Sequence, residues 1–107
     1  MHIQPAQVLF IAACLTAAGA ARAQDVESGK HIAQSWCSGC HRIVVEEQRT
    51  TSDAVPSFAS IAQMQSTTAT SLAVFLSTPH ANMPNLVLSR DEIRDVSAYI
   101  LSLRKSP

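Results

Sequence analysis

Cys37-Ser38-Gly39-Cys40-His41 concentrates the reactive groups of the chain: two thiols three residues apart, followed at once by an imidazole. On a helical turn, positions i, i+3 and i+4 share one face, so all three groups can address a single flat object. Cys-x-x-Cys-His is the attachment pattern of c-type haem. The thiols add across two vinyl groups to give thioether links, and the imidazole supplies a neutral nitrogen to the iron. Ser38 and Gly39 are small enough to allow close approach.

Three other chemistries use similar residues. Trp36-Cys37-Ser38-Gly39-Cys40 is also similar to the Trp-Cys-x-x-Cys of a dithiol-disulfide oxidoreductase, which sits between a β-strand and a helix. The segment before Trp36 reads as helix, and no run of alternating β-branched residues supplies a sheet. Structural zinc needs four ligands. Only His31 and His80 could complete such a set once Cys14 is set aside. A plain Cys37–Cys40 disulfide leaves His41 without a role.

The elements that must position these groups can be read along the chain of 107 residues, long enough for one domain. From Val8 to Ala21 there is no charge, and Ala21-Arg22-Ala23 then gives the small-x-small pattern of a signal-peptidase site. Residues 1–23 therefore read as a signal peptide and 24–107 as the mature domain, exported to the periplasm. The leading MHIQPAQ lacks Lys and Arg, and Ile3 to Ala21 approaches bilayer-spanning length, but Gln4 and Gln7 interrupt it. Ile11-Ala12-Ala13-Cys14 is similar to a lipobox, with too little apolar sequence before Cys14 and too much after it. Membrane association is expected only if the segment stays uncleaved or Cys14 is lipidated.

Removal of Arg22 would move the formal charge from zero to minus one, and no basic cluster points to nucleic acid or an anionic membrane. A mature chain this short has a slim stability margin, which a bound cofactor commonly widens.

Asp25 caps an expected helix to about Trp36, with Ile32, Ala33 and Trp36 on its apolar face. Gly29 inside it costs about 1 kcal/mol relative to alanine, which suggests close contact with another backbone or ring. The polar run from Arg42 to Val55 reads as a loop, and Phe58, Ile61 and Ala62 suggest a short inward-packing helix after Pro56. Thr70 or Ser71 is expected to cap a further helix burying Leu72, Phe75 and Leu76 and stopping at Pro79. Met64, bordering a helix, is expected to pack in the core. Residues 80–85 form a loop stiffened by Pro84 next to Met83. Ser89-x-x-Glu92 is a capping box opening the clearest helix, with Ile93, Val96, Ile100 and Leu103 as its stripe and Arg104 and Lys105 at its C-terminus before Pro107.

In this order of parts the chain resembles a class I c-type cytochrome, a small bacterial mono-haem protein, over nearly all of Asp25 to Leu103. The resemblance implies an all-α fold of three to four helices around one covalent haem, with the first and last helices crossing. Gly29, eight residues before Cys37, matches the family's helix-contact glycine, and Tyr99 matches the aromatic that packs on it. It implies haem c bound through Cys37 and Cys40, His41 as proximal ligand and Met83 as distal ligand, with His80 and Met64 as rivals for the distal place. The Pro56 carbonyl would accept a hydrogen bond from His41 Nδ1–H and fix its tautomer. Val55-Pro56 stands where the family often has Gly-Pro, and the family's propionate-binding aromatic has no obvious counterpart; Arg42, Arg49 and Asn82 are unranked candidates. The implied function is single-electron transfer between a redox donor and acceptor, by a monomer or a subunit of a larger dehydrogenase, and not catalysis. The competing class is an enzyme: a peroxidase-like haem protein with an open distal site, or a dithiol oxidoreductase through Cys37 and Cys40.

Overall fold

A Cβ at Gly29 would collide with the Asp95 carbonyl oxygen, and would lie 2.5 Å from the Asp95 carbonyl carbon and 3.0 Å from Tyr99 Cβ. That approach fixes how the first and last helices cross. A computed structural model describes residues 23–46, 55–79 and 83–106, and in them the chain forms four helices and no strand. They are α1 (Val26–Trp36), α2 (Phe58–Gln63), α3 (Ala69–Ser77) and α4 (Arg90–Ser102), and α4 packs on the other three. This is the expected all-α architecture.

Asp25 caps α1 as expected: its side chain accepts the Ser28 N–H at 3.1 Å. Its own N–H donates to Asp95 Oδ1 at 2.9 Å, so the start of α1 is tied to a buried carboxylate of α4. Ala33 is fully buried against the crossing, whereas Trp36 is 62% exposed. Trp36 sits at the end of α1, where the helix leaves α4 and its ring turns to the rim of a cavity.

The Ser89–Glu92 capping box forms in both directions, with Ser89 N–H donating to Glu92 Oε2 at 2.7 Å and Glu92 N–H to Ser89 Oγ at 3.2 Å. Ile93, Val96, Tyr99 and Ile100 are buried. The helix ends at Ser102, earlier than Lys105, and Arg104 lies beyond its last turn. There its guanidinium donates to the carbonyls of Ala62 at 2.8 Å, Met64 at 3.2 Å and Thr67 at 2.6 Å. Three charge-assisted bonds to the exit of α2 satisfy Arg104 better than its own helix end would.

Three expectations about the middle of the chain need correction. The cap of α3 is Thr68, with Ser71 as its reciprocal partner three residues on, and neither Thr70 nor Ser71 begins the helix. Met64 is half exposed and not in the core, because the turn between α2 and α3 directs it to the cavity. Phe75 is also half exposed while Leu72 on the same helix is buried, because α3 shows one face to α4 and another to the cavity.

Candidate haem site

The backbone turns once more beyond α1: Cys40 N–H donates to the Cys37 carbonyl at 3.2 Å and His41 N–H to the same oxygen at 2.9 Å. One carbonyl thus accepts from i+3 and i+4, which places Cys37, Cys40 and His41 on a single turn. Cys37 is buried, Cys40 is exposed, and neither is in a disulfide. Burial pushes the Cys37 thiol above its ordinary pKa of 9.0. A dithiol redox site is favoured by the opposite shift, toward a reactive thiolate.

His41 Nδ1 lies 2.7 Å from the Pro56 carbonyl oxygen. A carbonyl can only accept, so Nδ1 carries the proton and the lone pair is on Nε2, the form in which an imidazole binds a metal. The Phe58 ring flanks the imidazole, with centroids 5.4 Å apart and planes tilted by 51°. Phe58 is in turn backed by Tyr99 at 6.3 Å. The Phe58 N–H donates to the Arg42 carbonyl at 3.0 Å, and Tyr99 Oη donates to the Ile43 carbonyl at 2.6 Å. Both bonds hold the chain just after His41, so the imidazole is seated by α2 on one side and α4 on the other.

Cys37, Cys40 and His41 form one wall of a cavity of about 640 Å³, within the range of cofactor sites. Met83 and Pro84 belong to the same cavity, whose apolar floor is formed by Phe58, Leu72, Val96 and Ile100. The polar residues Ser66, Thr67, Ser71, Thr78 and Asn85 also line it, and isolated hydroxyls and amides carry no diagnostic spacing in a sequence. Met64 lines the cavity as well. Arg42 does not, and His80, Arg49, Asn82, Cys14, Pro107 and the proposed signal segment up to residue 22 lie outside the described residues.

The donor set fits a planar macrocycle held by its edge. Two unpaired thiols and an imidazole of fixed tautomer share one wall, a thioether stands on the cavity, and the remaining surface is largely apolar. Among the described residues no three His, Cys, Asp or Glu side chains converge to hold a bare metal ion.

The cytochrome c family model matches residues 26–104. Cytochrome c-552 of Bradyrhizobium diazoefficiens is 39% identical over 104 residues, covering 97% of this chain and 99% of that protein. No solved structure matches significantly. The chain belongs to the cytochrome c family, whose members bind covalent haem c, and it is a haem-based electron carrier.

Proposed function

We propose that this chain is a periplasmic single-electron carrier in which Cys37 and Cys40 hold haem c, His41 is the proximal ligand and Met83 the distal one. The observation that supports this most is the convergence of those four side chains on one apolar cavity, with His41 Nδ1 committed to Pro56. When bound, the haem iron supplies one-electron chemistry by changing between ferrous and ferric states.

The residues of the chain set the conditions for that change. The Pro56 carbonyl holds the His41 ring against rotation and keeps its proton on Nδ1, which strengthens donation from Nε2. Phe58 and Val96 exclude water, so the site reorganises little when its charge changes. Met83 offers a soft neutral sulfur that favours the reduced state, and Pro84 stiffens the backbone beside it. If His41 and Met83 both hold the iron when haem is bound, they would leave small oxidants no place on it, which would favour transfer over catalysis. Periplasmic location and cleavage before Gln24 rest on the uncharged Val8 to Ala21 run and on Ala21-Arg22-Ala23. No helix among the described residues is long and apolar enough to cross a membrane.

Met83→Ala tests the reading. The ferric wild-type holoprotein should be low-spin with a weak near-infrared sulfur-to-iron band, and its ferrous form should bind carbon monoxide poorly. The variant should lose the band, bind carbon monoxide and show a lower reduction potential, because iron loses the ligand that favours its reduced state. Met64→Ala should retain the band. A band that survives in Met83→Ala and vanishes in Met64→Ala would transfer the role to Met64. Ready binding of carbon monoxide by wild type would favour an open-site enzyme.

A further inference from the structure

From Val55 to Ser89 the sequence contains no Lys, Arg, Asp or Glu, so a fixed charge against that stretch has to come from elsewhere in the chain. Arg104, beyond the last turn of α4, brings one. Its Nε donates to the Ala62 carbonyl at 2.8 Å, and one terminal nitrogen donates to the carbonyls of Met64 at 3.2 Å and Thr67 at 2.6 Å. Met64 and Thr67 both line the cavity, so the guanidinium is bonded to the backbone of the cavity wall itself.

The segment it grips is closed by further bonds. The Ile61 carbonyl accepts the Met64 N–H at 3.2 Å and the Thr67 hydroxyl at 2.7 Å, and the Met64 carbonyl also accepts the Thr67 N–H at 3.1 Å. Thr67 is 4% exposed. Ile61, Met64, Ser66 and Thr67 thus form one stretch of wall, and Arg104 ties Ala62 near its start to Thr67 at its end. Gln63 Nε2 donates to the Leu103 carbonyl at 3.2 Å, which fixes the backbone next to Arg104 on the same segment. No carboxylate among the described residues pairs with the guanidinium, so its charge is not cancelled.

We propose that Arg104 is a positioning residue for the redox site, holding the Ile61–Thr67 wall in place and thereby raising the reduction potential of the bound haem. The proposal rests on the reading that haem occupies this cavity. Two effects have the same sign. Ferric haem carries one more positive charge than ferrous haem, so an uncancelled cation bonded to the wall disfavours the ferric state. A wall held in place also keeps out water, which would stabilise the added charge. Lysine does not reproduce both effects, because its ammonium is a point charge whereas the planar fork of arginine meets several carbonyls at once.

The test measures reduction potential and amide hydrogen exchange on holoprotein of wild type, Arg104→Gln, Arg104→Lys and Lys105→Gln. Arg104→Gln loses both charge and fork. It should shift the equilibrium between the two iron states about threefold toward ferric, a potential about 28 mV lower at 59 mV per tenfold for one electron. Arg104→Lys keeps the charge and loses the fork, so its potential should fall by less. In both variants the Met64 and Thr67 amides should exchange faster while those of α1 keep their protection. Lys105→Gln removes an equal charge from the neighbouring exposed residue and should keep wild-type potential and exchange.

A wild-type potential in either Arg104 variant, or wild-type exchange at Met64 and Thr67, would overturn the proposal. So would an equal fall of potential in Lys105→Gln, because net charge and not the grip on the wall would then set it. If Arg104→Gln does not fold, Arg104→Lys decides by the same two readouts. Met83→Ala separates the two levels. If neither it nor the Arg104 variants change the potential, the placement of haem in this cavity fails; if Met83→Ala lowers it and the Arg104 variants do not, only the Arg104 proposal fails.

Discussion

Where α1 crosses α4, one missing side chain at Gly29 lets helix lie on helix, and the Asp95 carboxylate, accepting from the Asp25 backbone N–H, is used in the joint itself. Across the molecule, α2, α3 and the Met83–Leu88 segment line a cavity with no Lys, Arg, Asp or Glu among the described residues, and leave Met64, Phe75 and Val87 substantially exposed. The first region has its partner within the chain. The second is arranged toward a cofactor and the surface around it. Met64 and Phe75 line the cavity, so their apolar side chains face a cofactor site and not a protein core.

The sharpest way to break this contrast is to put a side chain into the tight region. Gly29→Leu has to displace the backbone of Asp95 and not merely a flexible side-chain tip. Leucine's better helix propensity recovers about 1 kcal/mol, while overpacking costs up to about 3 kcal/mol or more, so net destabilisation of about 2 kcal/mol is expected. A thermal melt of the holoprotein reads it. A melt equal to wild type would show that the crossing yields easily, and the contrast between a fixed and an adaptable region would fail.

A smaller effect is expected where the two regions meet. Tyr99 on α4 donates its buried hydroxyl to the Ile43 carbonyl, two residues after His41. Tyr99→Phe keeps the ring and its packing on Phe58 but removes that hydrogen bond, for a loss of about 1 kcal/mol by urea denaturation. The reduction potential should barely move, since Pro56 still holds His41. A large change in potential would mean that α4 tunes the site directly, and the division between scaffold and site would need redrawing.

Much of this was legible in the sequence because the rules involved are local. Cys37, Cys40 and His41 follow from spacing on one turn, the Ser89–Glu92 box from spacing of three, and the Gly29 contact from a glycine that propensity alone disfavours. The cap of α3 is not legible because 66–71 is a run of Ser, Thr and Ala in which several hydroxyls can act as cap, and only the folded turn selects Thr68. The partners of Arg104 are not legible because backbone carbonyls have no sequence signature: nothing in the residues Ala62, Met64 and Thr67 announces three acceptors. Met64, Phe75 and Trp36 are more exposed than their apolar character suggests for one shared reason. Apolar character predicts removal from water, but does not distinguish a protein core from a cofactor cavity. The uncharged run from 55 to 89 is visible as composition, yet only the fold shows that it surrounds one cavity.

The smallest expected effect lies at the border between charged and uncharged sequence, where Ser89 ends the one and Arg90 begins the other. The Glu92 carboxylate accepts from the Ser89 backbone N–H, and that bond, with the Ser89 side chain second, holds its pKa below the ordinary 4.5. The helix dipole at the start of α4 favours the same charge. Because the folded value is the lower one, the charged form adds stability that is complete above the unfolded value of 4.5 and disappears as pH falls through the folded value. Glu92→Gln keeps a side-chain acceptor for the box but removes the charge. Melts of wild type and variant holoprotein should therefore differ by a constant small amount from neutral pH down to about 4.5 and converge below it. The carboxylate is fully exposed, so water and salt screen it, and raising the ionic strength should shrink the difference at neutral pH. A difference that persisted unchanged into strong acid would show that the cap works by geometry alone. The contrast between the charged helix and the uncharged wall would then have no energetic consequence at their junction.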